Sequence, residues 1–475
     1  MKLYDNISNV LAKKGINLIT GNMYDFMAIW KEWYRGSVND FHYYKAQLAD
    51  GTTCDCERLT MNMPKKVCED IAKLLWTEKT QINLSNKKAT ERLWEILDCE
   101  ENSFTVNIPI FIEKALAIGN GALVEYKSDN KTIIDYIEGD LIIPYLVTNS
   151  YIKGLITISR FIEENDEDRI YFTHITYHEF NGYTYTKYNE LYKSEIENEL
   201  GEDVDFATKF PNVENPYTTE TKTPHFQVFR PNLANNLDMT SPLGISIFAN
   251  SLDRFKAIDL KYDSFMNEFE LGKKRILVDS STLKAKVDHN ANTGEVRYVQ
   301  YFDKNDKVYV AVDGMEGQPA KEIDFNLRAQ EHIDSINAEL NWLSSNVGLG
   351  SNFYKFDGRT VSNKTIKEVM SENSEAFRTK AHHQIIVDKV IRSLVGAICE
   401  LEGIKTKEIK IIHDDSMIED KETEQLKAQQ EVSQGLRSKK DYLTKIRGMS
   451  EEEAEKELEE IEQQKQSDTE MFGME

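Results

Sequence analysis

Apolar residues recur every three or four positions through much of the first hundred residues. Asp25 to Tyr34 places Phe26, Ile29, Trp30 and Trp33 on one face and stops at Gly36. Val67 to Trp76 repeats the period with Val67, Ile71, Leu74 and Leu75 after Pro64, and Ala89 to Leu97 does so through Leu93, Trp94 and Leu97. This spacing predicts three short helices. From Gly121 the period changes to two. Ala122–Tyr126, Thr132–Ile137, Leu155–Phe161, Ile170–His178 and Tyr183–Tyr188 read as strands, with Asn181-Gly182 as a hairpin turn. The order is an antiparallel meander, not a βαβ succession, so no Rossmann-type nucleotide site is implied. Residues 199–224 are polar, contain Pro211, Pro216 and Pro224, and predict a long loop.

The most regular stripe follows Ser241-Pro242, which reads as an N-cap with proline at the first helical position. Phe248, Leu252, Phe255, Ile258, Tyr262, Phe265 and Phe269 then recur at helical spacing until Gly272. A helix of that span is roughly 45 Å long. A strand-rich insert comes next, through Arg275–Val278, Val296–Phe302 and Lys307–Val312. A second long helix is predicted from Asn326 to Val347 on Ile333, Ile336, Leu340, Leu343 and Val347. Two long helices around a compact insert predict an antiparallel hairpin with the insert at its tip. Gly348-Leu349-Gly350 ends the second helix, a loop of glycine, asparagine, aspartate and aromatics runs to Ser362, and a third long helix spans Asn363–Glu402. Near the end, Ser438 is placed to cap a helix carrying Tyr442, Leu443 and Ile446, and Ser450 with Glu453 suggests a capping box.

Composition changes this picture in two ways. The chain has 475 residues, 40% of them apolar, enough for two to four structural units each with a core. Its formal charge is −23, which argues against a conventional DNA-binding protein held by phosphate neutralisation. The excess is uneven: residues 449–475 contain eleven acids and two lysines, a charged appendage on a moderately acidic body. No run of 18 apolar residues predicts a membrane span, and MKLYDNISNVLAKKG has no signal-peptide core.

Motifs that carry chemistry are scarce. There is no GxxxxGK[ST], HExxH or GxSxG. Gly119-Asn120-Gly121 reads as the turn before a strand, and His178-Glu179 sits on a strand with its two side chains on opposite faces. His382-His383 falls inside a helix, where adjacent residues diverge. His413-Asp414-Asp415 would suit a metal-dependent nucleic-acid enzyme, but reads better as a polar strand end after Ile409-Lys410-Ile411-Ile412. Five cysteines, Cys54, Cys56, Cys68, Cys99 and Cys399, read as free thiols; Cys54-Asp55-Cys56 lies near His42 and Cys68 in sequence without zinc-site spacing. Neither catalysis, a metal nor a cofactor is expected.

Four segments, with their order and intervals around the helix–insert–helix–loop–helix plan, give the chain a resemblance. They are Trp30-Lys31-Glu32-Trp33-Tyr34-Arg35-Gly36 with Phe41-His42-Tyr43-Tyr44; Ser241-Pro242-Leu243-Gly244; Glu270-Leu271-Gly272-Lys273-Lys274-Arg275-Ile276-Leu277-Val278; and Asn363-Lys364-Thr365-Ile366-Lys367-Glu368-Val369. The sequence resembles the portal proteins of tailed bacteriophages of Gram-positive hosts, the ring-forming head–tail connectors. The resemblance implies an α+β, portal-like fold with a helical and antiparallel β wing (1–240), a two-helix stem (241–272 and 326–347) and a small α/β clip (273–325). It further implies a tunnel loop (348–362), a long tunnel-side helix returning to the wing (363–415) and an acidic helical crown (416–475). By the same resemblance the chain forms a ring, dodecameric in the family, at one capsid vertex of the virion after assembly in the bacterial cytoplasm. Its expected partners are further copies of itself, the terminase large subunit, a head–tail adaptor, the major capsid or scaffolding protein, and double-stranded DNA passing through the channel. In the loop, Phe353, Tyr354 and Phe356 would supply apolar bulk to that channel, and Lys355 and Arg359 phosphate contacts. Lys273, Lys274 and Arg275 would contact a partner at the clip or cap the preceding helix through its dipole. Another structural phage component, a minor capsid or adaptor protein, is the alternative.

Overall fold

The three predicted N-terminal helices form, and two more flank them. In a computed structural model the described residues are 2–16, 22–47, 51–128, 131–149, 151–164, 169–272, 275–279, 284–289, 296–301, 309–312, 320–323, 326–357, 366–413, 428–435, 438–445 and 454–458. The chain divides into two compact units, Met1–Trp76 with Leu84–Ile409, and Thr77–Asn83 with Lys410–Glu475. In the first unit, α1 (Lys2–Lys13) precedes α2 (Met23–Arg35), which buries Met27, Trp30 and Trp33 and ends on Gly36. A hairpin of β1 (Tyr43–Gln47) and β2 (Thr53–Glu57) leads to α3 (Met63–Leu75). After β3 (Gln81–Leu84) come α4 (Lys87–Leu97) and α5 (Phe104–Ile118). Asn86 caps α4 by accepting from the Ala89 N–H at 2.8 Å. The sequence pattern did not predict α5 because it has no polar face to define a stripe: Phe104, Ile108, Phe111, Ile112 and every residue of 115–118 are buried.

The predicted strands form β4 (Gly121–Ser128), β5 (Lys131–Glu138), β7 (Tyr151–Glu164), β8 (Arg169–Phe180) and β9 (Thr184–Ser194), with β6 (Ile142–Thr148) as an unpredicted addition. Asn181 closes the β8–β9 turn, its side-chain oxygen accepting from the Tyr183 and Thr184 N–H groups at 3.0 and 2.8 Å. Residues 199–224, expected as loop, contribute β10 (Glu202–Val204) and β11 (Tyr217–Glu220), and β12 (Phe226–Phe229) follows. Both short strands pair with β9, at Leu191–Lys193 and Thr184–Lys187, and so satisfy an edge that would otherwise be open. One sheet is ordered β10-β9-β8-β7-β6; a second is β12-β4-β5. Ile7 and Leu11 of α1 pack on Ile143, Ile156 and Ile175 of the larger sheet. A second cluster joins Ala122 and Val124 to Leu155, Phe180, Tyr185 and Phe226.

The long helix after Ser241-Pro242 begins later than predicted. Gly244 donates to the side-chain oxygen of buried Asn120 at 2.8 Å, and the Asn120 amide donates back to the Gly244 carbonyl at 3.2 Å. The Ile247 N–H bonds the Leu116 carbonyl of α5 at 3.0 Å. These donors serve α5 and its exit turn, so helix formation waits until α6 (Leu252–Leu271). Only glycines fit the crossing: a Cβ on Gly119, whose φ is +85°, would lie 2.5 Å from the Ile245 carbonyl carbon, and one on Gly244 2.6 Å from the Gly119 oxygen. The helix is therefore about 30 Å long, not 45 Å.

Every described residue of the following insert is in a strand. β13 (Arg275–Asp279) pairs in parallel with β16 (Tyr309–Val312) and antiparallel with β17 (Ala320–Ile323), while β14 (Lys284–His289) and β15 (Val296–Tyr301) form a hairpin. The helices α7 (Ala329–Asn346) and α8 (Ile366–Glu402) follow close to their predicted ends. In the second unit β3 pairs with β18 (Ile409–Ile412). Ser438 caps the helix Lys439–Lys445 as expected, accepting from the Asp441 N–H at 3.0 Å. Ser450 and Glu453, the expected capping box, lie outside the described residues.

The second core carries a polar layer. His178 is buried between Thr157 and Tyr185, at 2.9 and 2.8 Å, and His225 packs 4.5 Å from the Tyr185 ring. Burial holds His178 well below the ordinary imidazole range and His225 at about 4. As pH falls below about 6.5 the unfolded chain takes up these protons first, so stability present above that pH is lost progressively towards the folded values. Melting temperatures should fall between about pH 7.5 and pH 4.5, and His225→Phe should flatten that slope. A slope unchanged by the substitution would remove His225 from the acid response.

Candidate functional site

The two stem-like helices pack as the antiparallel hairpin their stripes predicted. Ile258 and Phe265 of α6 and Ile336, Leu340 and Leu343 of α7 are buried. Charged groups pin the pair at two levels. Arg254 and Lys261 converge on Glu339, at 3.1 and 2.9 Å, and Lys261 also donates to the Ser335 carbonyl. Burial pushes the Glu339 carboxyl up, but the hydrogen bonds from Lys261 and Arg254 outweigh it and leave it below its ordinary value. At the insert end, Glu268 accepts from the Arg328 N–H at 2.8 Å, from the Arg328 guanidinium at 3.0 Å and from His332 at 2.5 Å. Arg328, through side chain and backbone, and then His332 hold the Glu268 carboxyl at about 2. The chain is thus tied where it leaves α6 and where it returns as α7.

A second set of contacts fastens α6 to the segment before α3. The buried Asp259 carboxylate accepts from the Met61 N–H at 2.8 Å, the Thr60 hydroxyl at 3.0 Å and His42 Nε2 at 3.1 Å. His42 Nδ1 accepts from the Val38 N–H at 2.9 Å, so Nε2 carries the proton given to Asp259. Asp263, one turn on, accepts from the Leu59 N–H at 3.1 Å. Around this clasp Trp33 packs on Phe41, His42 and Phe255 at 5.4, 5.6 and 6.0 Å.

The loop after α7 is anchored from three helices. Thr379 of α8 donates to the Gly348 carbonyl at 2.6 Å; Gly348 has a φ of +75°, and a Cβ there would stand 2.4 Å from the Thr379 oxygen. Leu349 is buried, and Ser344 of α7 accepts from the Tyr354 N–H at 3.1 Å. The Tyr354 hydroxyl donates to Asp70 of α3 at 3.1 Å, and the Phe356 N–H to Asn337 of α7 at 2.8 Å. Phe356 packs edge-on to Tyr262 and Phe265 at 6.2 and 6.0 Å. Of the loop residues singled out from sequence, Tyr354 and Phe356 therefore turn inward and anchor the loop. Phe353 is exposed and Lys355 half-buried, with no hydrogen bond or ion pair among the described residues. Arg359, Lys273 and Lys274 lie outside the described residues; Arg275 opens β13 opposite Ile323. The anchors Asp70, Asn337, Ser344 and Thr379 carried no sequence signal, being isolated polar residues on three separate helices.

Comparison with known proteins bears on this arrangement. The family described as "Phage portal protein, SPP1 Gp6-like" matches residues 24–470. The chain belongs to this phage portal family. No curated protein matches it. Among solved structures, the chain is similar to the neck of an empty GTA particle computed with C6 symmetry, at 9% identity and a TM-score of 0.41 over 82% of this chain and 89% of the other. It is similar to the neck of the native GTA particle computed with C12 symmetry, at 9% identity and 0.41 over 80% and 88%. A chain of the native gene transfer agent virion gives 8% and 0.41 over 81% and 89%.

A portal protein is a structural component of the virion, a head–tail connector, and three of the motifs weighed for chemistry have structural partners here. His178 is a satisfied core residue, and Asn120 holds the Gly244 crossing. His383 accepts from the Asn232 N–H at 3.1 Å, while the His382 carbonyl accepts from the Asn232 amide at 2.8 Å. His413 follows β18, and Asp414 and Asp415 lie outside the described residues. Among the described residues no three His, Cys, Asp or Glu side chains gather as a metal site, and no helix is long and apolar enough to cross a membrane.

The loop anchoring generates a prediction. Tyr354→Phe removes the bond to Asp70 and should cost about 1–2 kcal/mol locally. Amide exchange over residues 349–357 should accelerate by about tenfold with the rest of the stem unchanged. Unaltered protection would mean that ring packing, not the hydroxyl, holds the loop.

Proposed function

We propose that this portal protein assembles as a closed ring, dodecameric at the capsid vertex, through which double-stranded DNA is packaged and ejected. In this reading residues 1–240 form the wing, α6 and α7 the stem, 273–325 the clip, 348–362 the tunnel loop, 363–415 the tunnel-side helix with its return to the wing, and 416–475 the crown. The observation that carries it is the stem: two cross-braced helices with an insert at one end, a glycine-hinged loop at the other, and apolar side chains left uncovered. Leu260, Phe269, Leu271 and Trp342 remain exposed, Trp342 by 62%. Exposed apolar side chains along both helices are suited to a neighbouring copy. The clip, with Lys273, Lys274 and Arg275, docks the terminase large subunit and later the head–tail adaptor; capsid or scaffolding protein surrounds the ring.

Within the loop, Phe353, Lys355 and Arg359 face the duplex, and Tyr354 and Phe356 set the position from which they act. A chain of charge −23 makes the channel wall repel phosphate, while a few loop cations supply weak contact. Weak contact suits sliding better than grip. Virion location and assembly in the host cytoplasm follow from the same reading, and ATP hydrolysis is left to the terminase.

Two experiments test this. The purified assembly should show one rotational symmetry with a central hole by electron microscopy, and Trp342→Glu should shift it to smaller species by light scattering, as expected when an interface anchor worth about 2 kcal/mol or more is lost. An assembly that is monomeric, or a ring indifferent to Trp342, would overturn the stem-mediated ring. Lys355→Ala with Arg359→Ala should lower packaged DNA per assembled capsid severalfold; unchanged packaging would remove the loop cations from the mechanism.

A further inference from the structure

The β1–β2 hairpin holds a pair of thiols outside the helical hairpin and the loop described above. Cys54 and Cys56 alternate with Asp55 along β2, so both thiols stand on one face of the strand. Their sulfurs are 3.6 Å apart. Both side chains are half-buried. On the partner strand small Ala46 lies opposite Cys54 and Tyr44 opposite Cys56. The other cysteines are elsewhere: Cys68 is buried in α3, Cys399 in α8, and Cys99 stands apart after α4.

A four-ligand site with His42 and Cys68, which their proximity in sequence raises, does not exist. His42 is committed to Val38 and Asp259, and Cys68 faces the interior of α3's packing. What remains is a two-sulfur bite. A tetrahedral zinc ion with Zn–S bonds of about 2.3 Å holds two thiolates about 3.8 Å apart. The observed separation is within about 0.2 Å of that value, so chelation asks almost no movement of the strand.

We propose that Cys54 and Cys56 form an open, bidentate thiol site for a soft divalent cation of the zinc group. Binding releases one proton from each thiol and forms two metal–sulfur bonds, with no change of oxidation state. No third His, Cys, Asp or Glu joins them among the described residues, so water completes the coordination and the ion stays accessible. Thiolate ligands favour such ions over magnesium or calcium, which prefer oxygen.

The test uses the full-length reduced protein and Cd²⁺ as probe. Sulfur-to-cadmium charge-transfer absorption should saturate at one ion per chain, survive excess Mg²⁺, and be competed by Zn²⁺. Cys54→Ser and Cys56→Ser should each weaken binding tenfold or more, the double variant should abolish the band, and Cys99→Ser should leave it unchanged. Melting temperature and ring size of each variant check that it is folded and assembled. Absence of the band in the wild-type protein, its survival in the folded double variant, or loss only in Cys99→Ser would overturn the site.

Discussion

Asp259 and Asp263 fasten α6 to the segment that enters α3, and the placing of the α6–α7 hairpin depends on that fastening. A carboxylate taken out of water is costly unless its lone pairs are met by donors, and Asp259 meets two side chains and a backbone N–H within 3.1 Å. Burial pushes its carboxyl above the ordinary value, and the hydrogen bonds from Met61, His42 and Thr60 offset only part of that rise. The donors come from residues 42–61, which have no regular structure at 58–62 to hold them otherwise. Each side therefore orders the other: the helix gives the segment its acceptors, and the segment neutralises charge on the helix face. Apolar packing of Trp33, Phe41, Phe248 and Phe255 surrounds the clasp and excludes water from it.

With the start of α6 held by the Gly119–Gly244 crossing and its middle by the clasp, α7 has one register open to it. Glu339 reads that register through Arg254 and Lys261, and Glu268 reads it again through Arg328 and His332. Ion pairs on a half-exposed helix surface contribute little stability singly. Their value here is positional, because each carboxylate serves two cations or donors on separate turns. The loop inherits the result: Ser344 and Asn337, carried by α7, and Asp70, carried by α3, meet Tyr354 and Phe356 only when both helices are in place. A portal loop so held has a defined resting position, while Phe353 and Lys355 stay outside the anchoring contacts.

Charge takes on a different meaning in this setting. Net acidity is a poor property for a protein that grips DNA and, for the DNA conduit proposed above, a suitable one for a wall along which a duplex slides. Much of the excess belongs to residues 449–475, away from the loop in the sequence.

Periodicity determined the helical hairpin and the meander, and the Asn181-Gly182 pair the turn, because a one-sided core imposes its repeat on Phe255, Ile258 and Phe265 or on Leu155 and Thr157 whatever the rest of the chain does. The ordered segments from Trp30 to Val369 also carried the family. Elements without a repeat are illegible: α5 has apolar Val106 and Ile110 on its exposed face as well as an apolar buried face, and β10 and β11 exist because β9 has a free edge. The start of α6 was misplaced because Ser241-Pro242 is a sound local signal that loses to Asn120 and Leu116, more than a hundred residues away. The resemblance points to the loop residues, but which of them face inward is not legible, since Asp70 lies 284 positions from Tyr354. Local sequence sets the elements that have a one-sided core; only the folded chain decides the rest and which donors remain for them, because a buried hydrogen bond is satisfied by proximity in space and leaves no spacing to read.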